Sequence, residues 1–159
     1  MRCLRQITDI FCCNIDVFIQ RLNAITGLKF RLPTEAEGEY AARGGNKSRS
    51  YKYAGNNDIA NVAWFTRNSD FKSHPVMSKD ANELGLYDMS GNVFELCSDW
   101  YDAKYYSQSR AENPKGPSSG IYKVCRGGCW CFGENACRVS RRAYIYPECA
   151  DEIGFRLVL

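Results

Sequence analysis

The stretch Asn82-Glu83-Leu84-Gly85-Leu86-Tyr87-Asp88-Met89-Ser90-Gly91-Asn92-Val93-Phe94-Glu95-Leu96 sets the character of the chain. It keeps no 3.6-residue apolar period, and its Gly, Asn, Asp and Ser lead into the short run Val93 to Leu96, the pattern of loops feeding a short strand. Upstream, Tyr51-Lys52-Tyr53 and Val62-Ala63-Trp64-Phe65 are similar short aromatic runs. Downstream, Tyr122 to Arg126 and Gly154 to Leu159 alternate well enough to be strands. Helices are confined to the beginning. Val17, Phe18, Leu22 and Ile25 share one helical face that Gly27 terminates. Thr34 and Glu37 form a capping box opening a second helix, with Ala36, Tyr40 and Ala41 as its buried face and Arg43-Gly44-Gly45 as its end. The class is α+β: two helices, then irregular loops held by a small antiparallel sheet. Loops on this scale need anchors, either bound metal ions or buried polar contacts.

With 159 residues, 45% hydrophobic and 25% charged, the chain can build one core but not two independent domains. A net charge of +3, evenly spread, argues against a nucleic-acid partner. No run approaches the roughly 18 apolar residues of a membrane span. Met1 to Phe11 has neither an apolar signal core nor a cleavage site, which leaves the localisation open. Nine cysteines, at 3, 12, 13, 97, 125, 129, 131, 137 and 149, leave at least one thiol free or shared between chains. Their Cys-x3-Cys, Cys-x-Cys and Cys-x5-Cys spacings, with His74 as the single histidine, do not make a structural zinc pattern. Small buried thiols are the expectation.

Ordered blocks then carry a resemblance. Phe30 to Glu37, Glu39 to Gly45, Asn82 to Val93, Asn113-Pro114-Lys115-Gly116-Pro117, Arg126-Gly127-Gly128 and Ile153-Gly154-Phe155-Arg156 resemble the formylglycine-generating-enzyme, or sulfatase-modifying-factor, domain from about Asp16 to the end. The resemblance implies a loop-rich, C-type-lectin-like fold over residues 15–159. Residues 1–14 do not match, and the reading is that they mark a truncation or a piece of a longer surface protein.

The resemblance also implies structural calcium. One set would be the side chains of Asp88 and Glu95 with the carbonyls of Gly91 and Val93. A second would be Asn61, the carbonyl of Val62, Asn68 and the carbonyl of Asp70, with Asn68 in place of a carboxylate. These are oxygen donors of the kind a hard cation takes. The copper(I) site of the oxidases does not carry over. Cys129 replaces the serine after the two glycines, and Cys131 and Cys137 are separated by five residues where the oxidase has four. Cys137 matches a structural disulfide cysteine whose partner position is Ala42, and Leu157 stands at half of another. Copper is therefore not expected, and a formylglycine-generating oxidase acting on a sulfatase cysteine is the alternative reading.

The same domain also serves as a display scaffold in variable proteins of diversity-generating retroelements. Cys131, Phe132, Gly133, Arg141, Ala143 to Tyr146 and Cys149 to Asp151 are all residues an NNC codon can encode, between fixed-looking Trp130, Glu134, Glu148 and Glu152. This makes the chain a non-catalytic ligand-binding module whose face lies in residues 129–151. Its expected contacts are Trp130, Phe132, Arg141, Arg142, Tyr144 and Tyr146, and its expected partner is a protein or glycan.

Overall fold

The computed structural model describes residues 12–146 and 152–159. Residues 1–11 and 147–151, with Cys3 and Cys149, lie outside them.

Helix α1 (Cys12–Thr26) ends where Gly27, at φ +68°, donates its N–H to the Asn23 carbonyl at 2.9 Å. Its buried face is Ile15, Phe18, Ile19 and Leu22, not the expected set: Val17 and Ile25 face solvent. Helix α2 (Glu35–Ala42) opens on the expected capping box. The Glu37 N–H donates to Thr34 Oγ1 at 3.2 Å, and the Thr34 N–H to Glu37 Oε2 at 2.8 Å. Arg31 also grips Glu37 and holds its carboxyl down at about 2. The expected buried face of α2 is corrected: Glu35, Ala41 and Ala42 are inside and Tyr40 is exposed. The helix buries an acidic residue because two arginines meet it from below. A one-turn helix, α3 (Ile59–Val62), occupies the start of the run read as a strand.

Four strands follow: β1 (Phe94–Trp100), β2 (Lys123–Arg126), β3 (Ala143–Ile145) and β4 (Ile153–Gly154), in the order β3-β2-β1-β4. The β1·β2 and β2·β3 pairs are antiparallel, whereas β4 runs parallel to β1 with Phe94 opposite Ile153. The expected strand Gly154 to Leu159 shrinks to β4 and one bridge between Val158 and Arg31.

Across the sheet, Leu96, Cys125 and Ala143 are in register, as are Val124 and Tyr144. Side chains alternate between faces, so these are two different faces. The first carries the main core, with Ile15, Phe94, Leu96, Cys125, Cys129 and Ile153.

Buried polar side chains anchor the loops. Asn82 accepts from the N–H groups of Leu84 and Leu86 and donates to the Ala41 carbonyl. Asn92 clasps both backbone groups of His74. Ser90 accepts from Ala54 N–H and donates to the Cys137 carbonyl. Asp99 accepts from the first N–H of α2 at 2.9 Å. Each satisfies backbone groups that a loop inside a domain would otherwise leave unpaired, at about 1–3 kcal/mol apiece.

Candidate functional site

Alternation in β3 sends Ala143 and Ile145 onto the main core and turns Tyr144 and Tyr146 outward, 54% and 51% exposed. The same alternation places Tyr122, one residue before β2, on that outer face. The Tyr144 ring packs against Tyr101 at 4.5 Å and Tyr122 at 4.8 Å between centroids, and Tyr122 packs against Tyr146 at 4.6 Å. The Tyr122 and Tyr146 hydroxyls hydrogen-bond at 3.0 Å. Four tyrosines from three segments thus make one surface of rings and hydroxyls.

Arg142 lies under this surface. Its Nε donates to Glu35 Oε1 at 2.7 Å and its Nη2 to Glu35 Oε2 at 2.8 Å. Its guanidinium carbon sits 4.9 Å from the Tyr101 ring centre and 4.8 Å from that of Tyr106. Glu35 is 1% exposed and also accepts from Arg126 Nη1 at 2.7 Å. Arg126 pairs with Glu39 too, so two carboxylates face two guanidinia. Burial would raise the Glu39 carboxyl, but Arg126 and Arg43 outweigh it and hold it down. Arg142 is committed to a buried network and supports the tyrosines from beneath, whereas Arg141 is exposed.

Trp130 and Phe132 belong elsewhere. Phe132 is exposed at one side but stacks edge-on against Phe94 at 5.5 Å. The Trp130 side chain is half-buried on the main core, and its carbonyl accepts from Ser69 Oγ at 2.9 Å. Phe94 is on the core face of the sheet and Tyr144 on the other. The aromatic residues expected to form one face are therefore divided, Trp130 and Phe132 lying on the core side of the sheet and Tyr144 and Tyr146 on the other. The sequence pointed to Tyr144 and Tyr146 but missed Tyr101 and Tyr122, although Tyr122 sits at the alternating position that gives its face.

Cys129 is fully buried in the core, which corrects its expected place on the binding face. Cys97 and Cys125 are buried as expected. Cys137 packs with Tyr53, Ile59, Val62, Ala63 and Phe65, a different cluster from that of Cys129 and Cys131. Burial pushes its thiol up to about 12.

The oxygen donors read as calcium ligands divide similarly. Asp88 is buried and accepts from Met77 N–H at 2.8 Å; burial raises its carboxyl, against the Met77 N–H and the Arg156 guanidinium, which pull it down. Gly91 and Val93 are buried beside it in sequence. Glu95 is held by Arg156 through both oxygens, so a cation there has to compete with a guanidinium. In the second set Asn61 and Asp70 are exposed and Val62 ends α3. Asn68 spends its amide on the turn, accepting from Phe65 N–H at 2.8 Å and donating to the Ala63 carbonyl at 3.0 Å. Asp88 is a buried carboxylate of the hard-donor kind a calcium ion takes, whereas both amide atoms of Asn68 are engaged in the turn.

Residues 9–159 match the sulfatase-modifying factor enzyme 1-like domain. The chain belongs to that family. The Treponema denticola variable protein 1 structure is similar with a TM-score of 0.73 and 43% identity, over 80% of this chain and 46% of that one. The serine/threonine-protein kinase Pkn1 of Chlamydia trachomatis is 45% identical over 129 residues, 79% of this chain and 20% of the kinase. The formylglycine-generating enzyme of Streptomyces coelicolor is 37% identical over 143 residues, 79% of this chain and 45% of the enzyme. The chain thus spans less than half the length of each of these relatives. The loop-rich α+β architecture is that of the sulfatase-modifying-factor family.

Proposed function

We propose that the chain is a non-catalytic ligand-binding module on a sulfatase-modifying-factor scaffold, and that its face is the tyrosine cluster of Tyr101, Tyr122, Tyr144 and Tyr146. The observation that carries this reading is the exposure of Tyr144 and Tyr146 on a sheet that fixes them. Rigid aromatic rings with a hydroxyl give large contact area at little entropic cost, which suits recognition of a protein or a glycan. The likeness to a variable protein supports a display role for Tyr144 and Tyr146. The kinase and oxidase names of other relatives belong to proteins of which this chain spans a minor part.

The thiols support the non-catalytic side. Copper(I) in an oxidase takes two thiolates together, whereas Cys131 and Cys137 pack in separate clusters, and burial pushes up the thiols of Cys137 and of Cys129, which does lie beside Cys131. Incubation with Cu(I), oxygen and a Cys-x-Pro-x-Arg peptide is expected to leave the peptide cysteine intact. An aldehyde product would replace this reading with the copper-dependent oxidase.

For the face, the chain is screened against protein and glycan arrays, and captured ligands are re-tested with Tyr144→Ala/Tyr146→Ala. The double variant is expected to bind at least about thirtyfold more weakly, the worth of a 2 kcal/mol hot spot, and to stay folded, its melting midpoint lowered only by the lost ring contacts with Tyr101 and Tyr122. Undiminished binding would move the face elsewhere.

The scaffold's structural calcium is proposed at Asp88 with the carbonyls of Gly91 and Val93, Glu95 joining by release from Arg156. The expected result is a melting midpoint several degrees higher in calcium than in chelator, since an ion bound only to the native state stabilises it by mass action. Equal midpoints would remove calcium from the scaffold.

A further inference from the structure

The turn Cys129-Trp130-Cys131-Phe132 closes with the Phe132 N–H donating to the Cys129 carbonyl at 3.1 Å. It brings the Sγ atoms of Cys129 and Cys131 to 3.0 Å. That is inside the roughly 3.5–4.0 Å optimum even of two carbon atoms, so the backbone already holds the sulfurs near bonding approach. Cys129 is fully buried in the main core, while Cys131 is half-buried. One sulfur is reachable from solvent and the other waits behind it.

We infer that Cys129 and Cys131 are an oxidisable dithiol that closes to an intramolecular disulfide under a hydroperoxide and thereby locks the turn carrying Trp130 and Phe132. This is independent of which ligand the tyrosine face takes. The Cys131 thiolate, its proton lost to solvent, attacks the hydroperoxide; the S–O bond forms, the O–O bond breaks, and the alcohol leaves. The Cys129 sulfur then attacks the sulfenic acid, the S–S bond forms, and water leaves. Two thiols and one hydroperoxide give one disulfide, one alcohol and one water.

The environment sets the kinetics. Burial pushes both thiols up, and for Cys131 the Glu152 carboxylate adds to this. Little thiolate exists at neutral pH, so closure is slow there and accelerates about tenfold per pH unit below the Cys131 pKa. Reduction is slow as well: an attacking thiol reaches the Cys131 sulfur and must expel Cys129, a high-pKa and therefore poor leaving group. The pair is a latch rather than a fast sensor.

The test treats the whole chain with hydrogen peroxide at pH 7 and pH 9, blocks remaining thiols, and maps peptides by mass spectrometry. The tryptic peptide Gly127 to Arg138 is expected to lose two hydrogens, with no fragmentation between Cys129 and Cys131 until reduction, and to form faster at pH 9. The same product is expected from Cys137→Ser and not from Cys131→Ser. Both thiols still blockable after oxidation, or a bridge involving Cys137 in the unmodified sequence, would overturn the inference.

Discussion

Glu35→Ala is expected to cost about 3–5 kcal/mol, the range for breaking a buried ion pair by removing one partner, which for a domain of this size is a fall of roughly 6–20 °C in the melting midpoint. Glu35 is 1% exposed and accepts three hydrogen bonds at 2.7–2.8 Å from Arg126 and Arg142. Without it, Arg126 keeps only Glu39 as a carboxylate partner, and Arg142 loses its carboxylate and with it the hold by which it supports Tyr101 and Tyr106. Solvent cannot repair this, because Arg126 is buried. The comparison variant is Glu37→Ala, two residues on, whose pair with Arg31 is surface-exposed. It should lose about 1–2 kcal/mol, mostly through the helix cap. Thermal melts of the two variants check the ordering; equal losses would mean that the network does not bear on the fold.

Gly91→Ala is expected to destabilise by about 2–5 kcal/mol, the sum of a left-handed backbone penalty and overpacking. Gly91 has φ +73°, and a Cβ there would lie 2.4 Å from the Trp64 carbonyl oxygen and 2.9 Å from the Ala63 Cβ. Neither can retreat: the Trp64 carbonyl accepts from Asn92 N–H at 2.8 Å, and Gly91 itself donates to the Gly127 carbonyl at 2.8 Å. Gly85 isolates the two contributions. It has the same φ of +73° with nothing within 4 Å of its Cβ position. Gly85→Ala should therefore show the backbone penalty alone, about 1–2 kcal/mol. Denaturant titration of both gives the difference, and a Gly91→Ala loss no larger than that of Gly85→Ala would refute the packing argument.

Local chemistry was legible where the cause is local. The capping box needs only Thr34 and Glu37 three residues apart, and Gly27 stops α1 wherever that helix packs. Side-chain direction was not legible in α2, where hydrophobicity favoured Tyr40 as a buried residue. Arg126 lies far along the chain from Glu35, and nothing near Glu35 announces that a guanidinium will make an acid the inner residue. The same holds in α1, where Ile15 and Ile19 displaced Val17 and Ile25 because the sheet decides which stripe of an apolar helix is covered. The division of the candidate face was hidden in the same way. Residues contiguous over 129–151 were read as one surface, but a turn places Trp130 and Phe132 on the core side of the sheet and β3 turns Tyr144 and Tyr146 to the other.

The sequence alone determined family, fold class, the two helices with their ends, and the presence of aromatic residues suited to recognition, because ordered motif blocks and local capping chemistry survive without knowledge of distant contacts. The tertiary structure alone decided the rest. It showed that buried polar side chains anchor the loops, that Arg142 packs against Tyr101 and Tyr106, that Tyr101 and Tyr122 cluster with Tyr144 and Tyr146, and that Cys129 and Cys131 meet. These depend on contacts between segments remote in the chain, and the burial of a charge or a thiol is settled only when its partner arrives.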